Sequence, residues 1–390
     1  MVEETDAGST TATDSDPTGL HASSLGATGD GSTSDDSSGV DSVGETGHSS
    51  GTSAGTSTTS SVDTDSLTSG FVPDAGSSVP PIGGTGGDYE CAQATPKSCD
   101  ILLGGVMTAL GLGCPDGVAP TSFAVTAAPQ AVAVHEGALG ATGEYAAVEG
   151  KRFVILSTGE AHQLTLSREE IELASGCPAD ADECPSTEHP PEHTLAQLPA
   201  PIIAAPVDPE LTCKDDPKLI GTGDCSNTIL NAWQAGNGEL LAHDYVDIRF
   251  TATVPAEVSH LRFRWAFLTA EYPARVDMGF NDLFLVWIES ERWTGNVAYD
   301  GEGLPVSVDA TRFDLYDAPL AGSCTEGCVA PELHGTGMEG HAATEWIDQS
   351  VPVNVGDEIT VVFALFDVGD AAGDSAILLD GVQWDCPIPG

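Results

Sequence analysis

Residues 1–87 contain no lysine, no arginine and no cysteine, and their only aromatic residue is Phe71. Without aromatic and branched apolar side chains such a stretch cannot bury enough surface to offset the cost of ordering its backbone. Strings such as Asp14-Ser15-Asp16, Asp35-Asp36 and Gly51-Thr52-Ser53-Ala54-Gly55-Thr56 predict a disordered Ser/Thr/Gly/Asp-rich tether, with a composition suited to O-glycosylation. Long apolar runs are missing from the whole chain, which predicts no transmembrane helix. Base is scarce throughout: 12 Lys and Arg stand against 60 Asp and Glu, for a net charge of −48. The tether holds 13 of those carboxylates, so residues 88–390 carry −35. A surface that acidic repels phosphate backbones and anionic lipid, which excludes nucleic acid as a partner and leaves divalent cations, cationic partners or plain solubility.

Several catalytic signatures are also missing. There is no strand–Ser–helix elbow, no phosphate-cradling glycine loop and no zinc-protease helix motif. The EF-hand spacing is absent too. His189 and His193 stand four apart, but Pro190 and Pro191 prevent a regular helical face between them.

What is present lies after Gly83-Gly84-Thr85-Gly86-Gly87. All ten cysteines fall there: Cys91, Cys99, Cys114, Cys177, Cys184, Cys213, Cys225, Cys324, Cys328 and Cys386. Their even number predicts disulfides in an oxidising compartment, with connectivity left open between local pairs (177 with 184, 324 with 328) and a bridge from the N-terminal cluster to Cys386. The N-terminus, Met1-Val2-Glu3-Glu4-Thr5-Asp6, is unlike a secretion signal. Export is nevertheless the expectation, with any lipid anchor upstream of Val2.

Hydrophobic periodicity predicts one early helix through Leu102, Val106 and Leu110, capped by Ser98, and then strands. Short ones are expected at 122–126, 131–135 and 153–156, with a further alternating run at 162–166. Residues 245–254 alternate with Val246, Ile248, Phe250, Ala252 and Val254 inward. Residues 261–267 alternate with the odd positions inward, leaving Arg262 and Arg264 toward solvent or an acidic surface. The apolar runs 283–288, 358–366 and 375–380 complete the set. Many short strands between Gly, Asp and Pro turns predict an all-β, jelly-roll-like β-sandwich with a few short helices. Residues 88–390 read as one disulfide-bearing domain, with a Cys/Pro-rich loop at 177–217.

Glu271-Tyr272-Pro273 followed by Gly279-Phe280-Asn281-Asp282-Leu283-Phe284 resembles the signature of the bacterial choice-of-anchor L domain family. Leu139-Gly140, the run Glu149-Gly150-Lys151-Arg152-Phe153-Val154-Ile155-Leu156-Ser157-Thr158-Gly159 and the closing segment Asp374 to Val382 are similar to further parts of it, in order. The resemblance implies a secreted or surface-displayed bacterial protein. The family's interchangeable C-terminal anchoring signal has no counterpart after Pro387-Ile388-Pro389-Gly390, so attachment is expected through the N-terminal side or a partner.

Two oxygen-rich loops are the best candidates for chemistry. Asp277, Asn281 and Asp282 precede one apolar strand, and Asp367, Asp370 and Asp374 lie between two others, with Asp380 ending the next. Such loops suit calcium, which takes six to eight oxygens from flexible segments. The competing explanation is ordinary turn chemistry, in which Asp and Asn bond their own backbone. Glu271 is read either as a binding-rim carboxylate or as a buried acceptor fixing its turn. Trp293 and Tyr299 flank Thr294-Gly295-Asn296 and are the expected exposed platform for a sugar ring. Glu289 and Glu291, two apart, would share a strand face and are the candidates for glycoside hydrolysis. The resulting expectation is a non-catalytic extracellular binding or adhesion module, stabilised by calcium, with a surface glycan or protein as ligand. Its alternatives are a structural envelope or matrix assembly protein and a glycan-active hydrolase.

Overall fold

The computed structural model describes residues 97–100, 105–175, 193–204, 211–226, 229–234, 240–311, 313–316, 329–369, 371 and 373–386. All belong to one compact unit within Ser66–Gly390. The tether, Leu102, His189, Asp370 and the cysteines at 91, 177, 184, 324 and 328 lie outside the described residues.

Two sheets face each other. The first is five-stranded, in the order β1 (Ser122–Thr126), β6 (His243–Thr253), β13 (Glu358–Asp367), β8 (Leu283–Glu289) and β9 (Thr294–Asn296). The second is seven-stranded and runs β10 (Leu315–Tyr316), β11 (Ala342–Ala343), β7 (His260–Thr269), β14 (Ser375–Asp385), β5 (Arg152–Ser157) and β2 (Val132–Glu136), with β12 (Ile347–Pro352) also paired to β7. A separate ribbon joins β3 (Ala138–Leu139) to β4 (Tyr145–Ala146). Every pairing between these strands is antiparallel.

Alternation places the core between the sheets. Val246, Ile248, Phe250 and Ala252 of β6 meet Leu261, Phe263, Trp265 and Phe267 of β7 in one buried cluster, as their sequence period requires. Phe363 sits at its centre, with Phe263 edge-on at 5.2 Å between ring centroids. Burying a ring of that size stabilises by about 2–3 kcal/mol.

The opposite faces are not bare, which is why several strands read as continuous apolar runs. Leu283, Leu285 and Trp287 of β8 pack under Ile202, Ile229 and Trp233, the last from helix α3 (Leu230–Gln234). Phe153, Ile155, Ala266, Leu268 and Leu378 are covered by Leu164, Leu333 and Met338. The remaining helices are short: α1 (Val106–Ala109) and α2 (Arg168–Ser175). The run at 162–166, expected as a strand, is instead a 3-10 turn over Ala161–Thr165. Its two buried residues, Ala161 and Leu164, are three apart, so a helical turn buries both on one face where a strand could not. The Ser98 hydroxyl donates to Asp100 Oδ1 at 2.8 Å, and residues 101–104 of the helix expected after it lie outside the described residues.

Disulfides join Cys99 to Cys114 and Cys213 to Cys225, and Cys386 is also disulfide-bonded. No helix among the described residues is long and apolar enough to cross a membrane.

Candidate functional site: a buried carboxylate cluster and a polar cavity

One end of the sandwich gathers acid. Asp367 closes β13, where its neighbour Phe366 pairs with Leu283 and Asp367 itself pairs with His243. The register therefore puts Asp282, the residue before β8, and Asp244, the residue after His243, beside it. On the other sheet, Ser375 of β14 pairs with Thr269 of β7, so Asp374 and Glu271 follow at the same rim. The Ser375 hydroxyl donates across to Asp282 Oδ2 at 2.5 Å and ties the two rims together. Gly373 has φ +91°, and a Cβ there would stand 3.1 Å from Glu271 Oε1, so the loop backbone lies directly against that carboxylate.

Asp244, Glu271, Asp282, Asp367 and Asp374 are all 1–3 % exposed. Neither carboxylate oxygen of Asp367 has a hydrogen-bond partner. Burial pushes the Asp367 carboxyl well above its ordinary range, and the negative charges of Asp282, Asp374, Glu271 and Asp244 push it further. Two like charges about 6 Å apart repel by roughly 3 kcal/mol at an effective dielectric of about 20. No three His, Cys, Asp or Glu side chains among the described residues stand at metal-ligand spacing.

The other expected metal-site residues lie apart or are committed elsewhere. Asp277 is exposed, and its backbone N–H donates to Asp309 Oδ1 at 2.7 Å. Asn281 is buried but fully used: its Nδ2 donates to the Ala232 carbonyl, and its Oδ1 accepts from Asp309 N at 3.0 Å. These bonds join separate loops, since Asp309 and Ala232 lie 28 to 49 residues away in sequence. Asp380 sits along β14, away from the rim, and accepts from Val148 N (2.6 Å), Glu149 N (3.1 Å) and Gly381 N (2.6 Å). Asp244 was not anticipated. Its one local sign is that Asp opens a strand next to His, and its φ of +48° marks an imposed backbone.

The expected aromatic platform is corrected by the packing. Tyr299 is buried and its hydroxyl donates to the Ser226 carbonyl at 2.9 Å. Trp293 is half-buried against the central core. The Thr294-Gly295-Asn296 segment is strand β9 paired to β8, so it buries the flanking rings instead of projecting them.

A second feature lies on the outer face of the seven-stranded sheet, where the apolar cover ends. A cavity of about 530 Å³ is lined by Ser98, Val148, Glu149, Gly150, Arg262, Arg264, Gly381 and Gln383. A β-bulge between Asp380 and Gln383 shapes it. Gly381, at φ +66°, takes up the extra residue, so Val382 and Trp384 return to the core while Asp380 and Gln383 both stay on the outer face. Arg262 Nη2 and Arg264 Nε both donate to Asp348 Oδ1, at 2.8 and 2.5 Å. Burial opposes ionisation of Asp348, but the two guanidiniums prevail and hold it below the usual carboxylate range. Burial pushes the Glu149 carboxyl up, and the Asp100 charge adds to this. Glu289 and Glu291 do not line this cavity.

No family model and no curated protein matches the chain. Among solved structures, the carbohydrate-binding module TmCBM61, determined with β-1,4-galactotriose, aligns at 11 % identity over 68 % of this chain and 90 % of that one, with a TM-score of 0.25. A β-glucosidase from Kluyveromyces marxianus aligns at 12 % identity over 36 % of this chain and 11 % of the enzyme, with a TM-score of 0.16. Scores this low carry no argument about fold or function.

Proposed function

We propose that this protein is a non-catalytic binding module displayed outside a bacterial cell, a jelly-roll-like sandwich of the choice-of-anchor L kind held off the surface by its acidic tether. The observation that carries the reading is the outer-face cavity. In a chain with 12 basic residues and a net charge of −48, Arg262 and Arg264 stand together at one concavity, fixed by Asp348. Guanidinium, amide and hydroxyl donors alternate there with carboxylate and amide acceptors. That mixture suits a polyhydroxylated ligand such as a surface glycan, whose vicinal hydroxyls both donate and accept. Each guanidinium has further N–H groups beyond the one given to Asp348.

The test is a glycan array followed by calorimetric titration of the best oligosaccharide. Arg264→Ala is expected to weaken binding by at least tenfold, and Arg262→Ala/Arg264→Ala to abolish it. Absence of any glycan ligand, or a double variant that binds as the wild type does, would contradict the reading. Concentration-dependent self-association in sedimentation, with no glycan bound, would favour an assembly protein instead.

A further inference from the structure

We propose that Asp244, Glu271, Asp282, Asp367 and Asp374 form a calcium site that pins the two sheets together at one end of the sandwich. The inference stands apart from the glycan-binding reading, because it concerns the opposite requirement: charge that the fold has already buried.

Acid residues alone would not make a site, since carboxylates collect in turns for local reasons. Asp367 is the independent observation. It is 1 % exposed, both its oxygens lack a hydrogen-bond partner, and the register of β13 against β6 and β8 places it at the middle of the group. Elsewhere in this protein a buried aspartate is given donors. Asp100 Oδ2 takes the N–H groups of Lys151 and Arg152 at 2.7 and 2.8 Å, and Asp380 takes three N–H groups. Asp367 has none, which leaves its oxygens available to a positive centre that backbone and side chains do not supply.

The chemistry of the donors selects the ion. All five side chains are carboxylates, so the site is hard, and nothing in it offers the sulfur or imidazole that zinc or copper prefers. The contributors come from strand ends and loops on both sheets, an irregular geometry that calcium accepts and magnesium, with its strict octahedron, does not. Calcium takes Asp367 and one neighbouring carboxylate directly and completes its shell from main-chain carbonyls and water. The other carboxylates then serve as hydrogen-bond acceptors for those waters. Because Asp244, Asp282 and Asp367 belong to the five-stranded sheet while Glu271 and Asp374 belong to the other, a bound ion resists separation of the layers.

Calorimetric titration of the chelator-treated full chain with calcium chloride, and separately with magnesium chloride, tests the site. One saturable calcium site per chain is expected, at least tenfold tighter than for magnesium. Asp367→Asn weakens it by tenfold or more, while the exposed control Asp277→Asn leaves it unchanged. Should Asp367→Asn fail to fold, Asp374→Asn serves in its place, and near-ultraviolet circular dichroism verifies each fold. Heats that never saturate, or an unchanged affinity in both cluster variants, overturn the proposal and leave the carboxylates neutralised by protons. Failure here does not touch glycan binding at the cavity, which is measured with no calcium present.

Discussion

Asp380 and Asp367 lie on adjacent-numbered strands of opposite sheets, are buried to the same degree, and are treated oppositely by the fold. Asp380 receives three backbone N–H groups, two from Val148 and Glu149 and one from Gly381 in its own bulge. Even so, burial together with the nearby Glu149 charge outweighs those donors and raises its pKa to about 7. Asp367 receives no donor and faces four other carboxylates, and burial together with their charges pushes it in the same direction. The difference shows two ways of keeping a carboxylate in a sandwich. One satisfies it from the backbone and uses it to fix a loop. The other leaves it without a donor among further carboxylates.

That contrast breaks most visibly at Asp380. Replacing it by Ala strands the N–H groups of Val148, Glu149 and Gly381, and each orphaned buried donor costs about 1–3 kcal/mol. Asp380→Ala is therefore expected to lower stability by about 3–5 kcal/mol in urea denaturation, equally in calcium and in chelator. A loss that calcium repairs would show that the two carboxylates are not separate cases.

The second comparison is with pH. The folded-state pKa of Asp380 lies near 7 against 3.8 ordinarily, so its ionisation is disfavoured in the fold. Between those values the native state holds a proton that the unfolded chain releases, and stability falls as pH rises from about 4 to about 7. Asp380→Asn cannot ionise and escapes that loss. Relative to wild type it is expected to gain on the order of a few kcal/mol between pH 4 and pH 8. Parallel stability curves for the two proteins would mean that the N–H donors have overcome burial.

The strands were legible in the sequence wherever one face packs on the core and the periodicity is strict. Residues 245–254 and 261–267 show it, with the alternating positions of each in the central cluster. The reading failed where a third layer intervenes. The segment at 162–166 alternates in hydropathy, yet it closes as a turn because it must cover the seven-stranded sheet with Ala161 and Leu164 together. The candidate cation loops were visible as Asp-rich turns, and Asp282, Asp367 and Asp374 do converge. Composition could not separate them from Asp277 and Asn281, which the fold bonds to Asp309 and Ala232 on distant segments. Asp244 was invisible because its role depends on register between strands more than a hundred residues apart. Tyr299 and Trp293 misled for the same reason, since the turn between them is a paired strand. The cavity depends on a bulge at Gly381, and a glycine in a strand announces a bulge without saying what it will aim.

Thermal unfolding of the wild-type chain at neutral pH, once in calcium and once in chelator, tests the central claim most directly. An ion present at about a hundredfold above its Kd stabilises the folded state by about 2.7 kcal/mol. For a domain of this size that is a rise in Tm of about 5–10 °C, and Asp367→Asn should abolish it. Melting curves that superimpose with and without calcium would contradict the account.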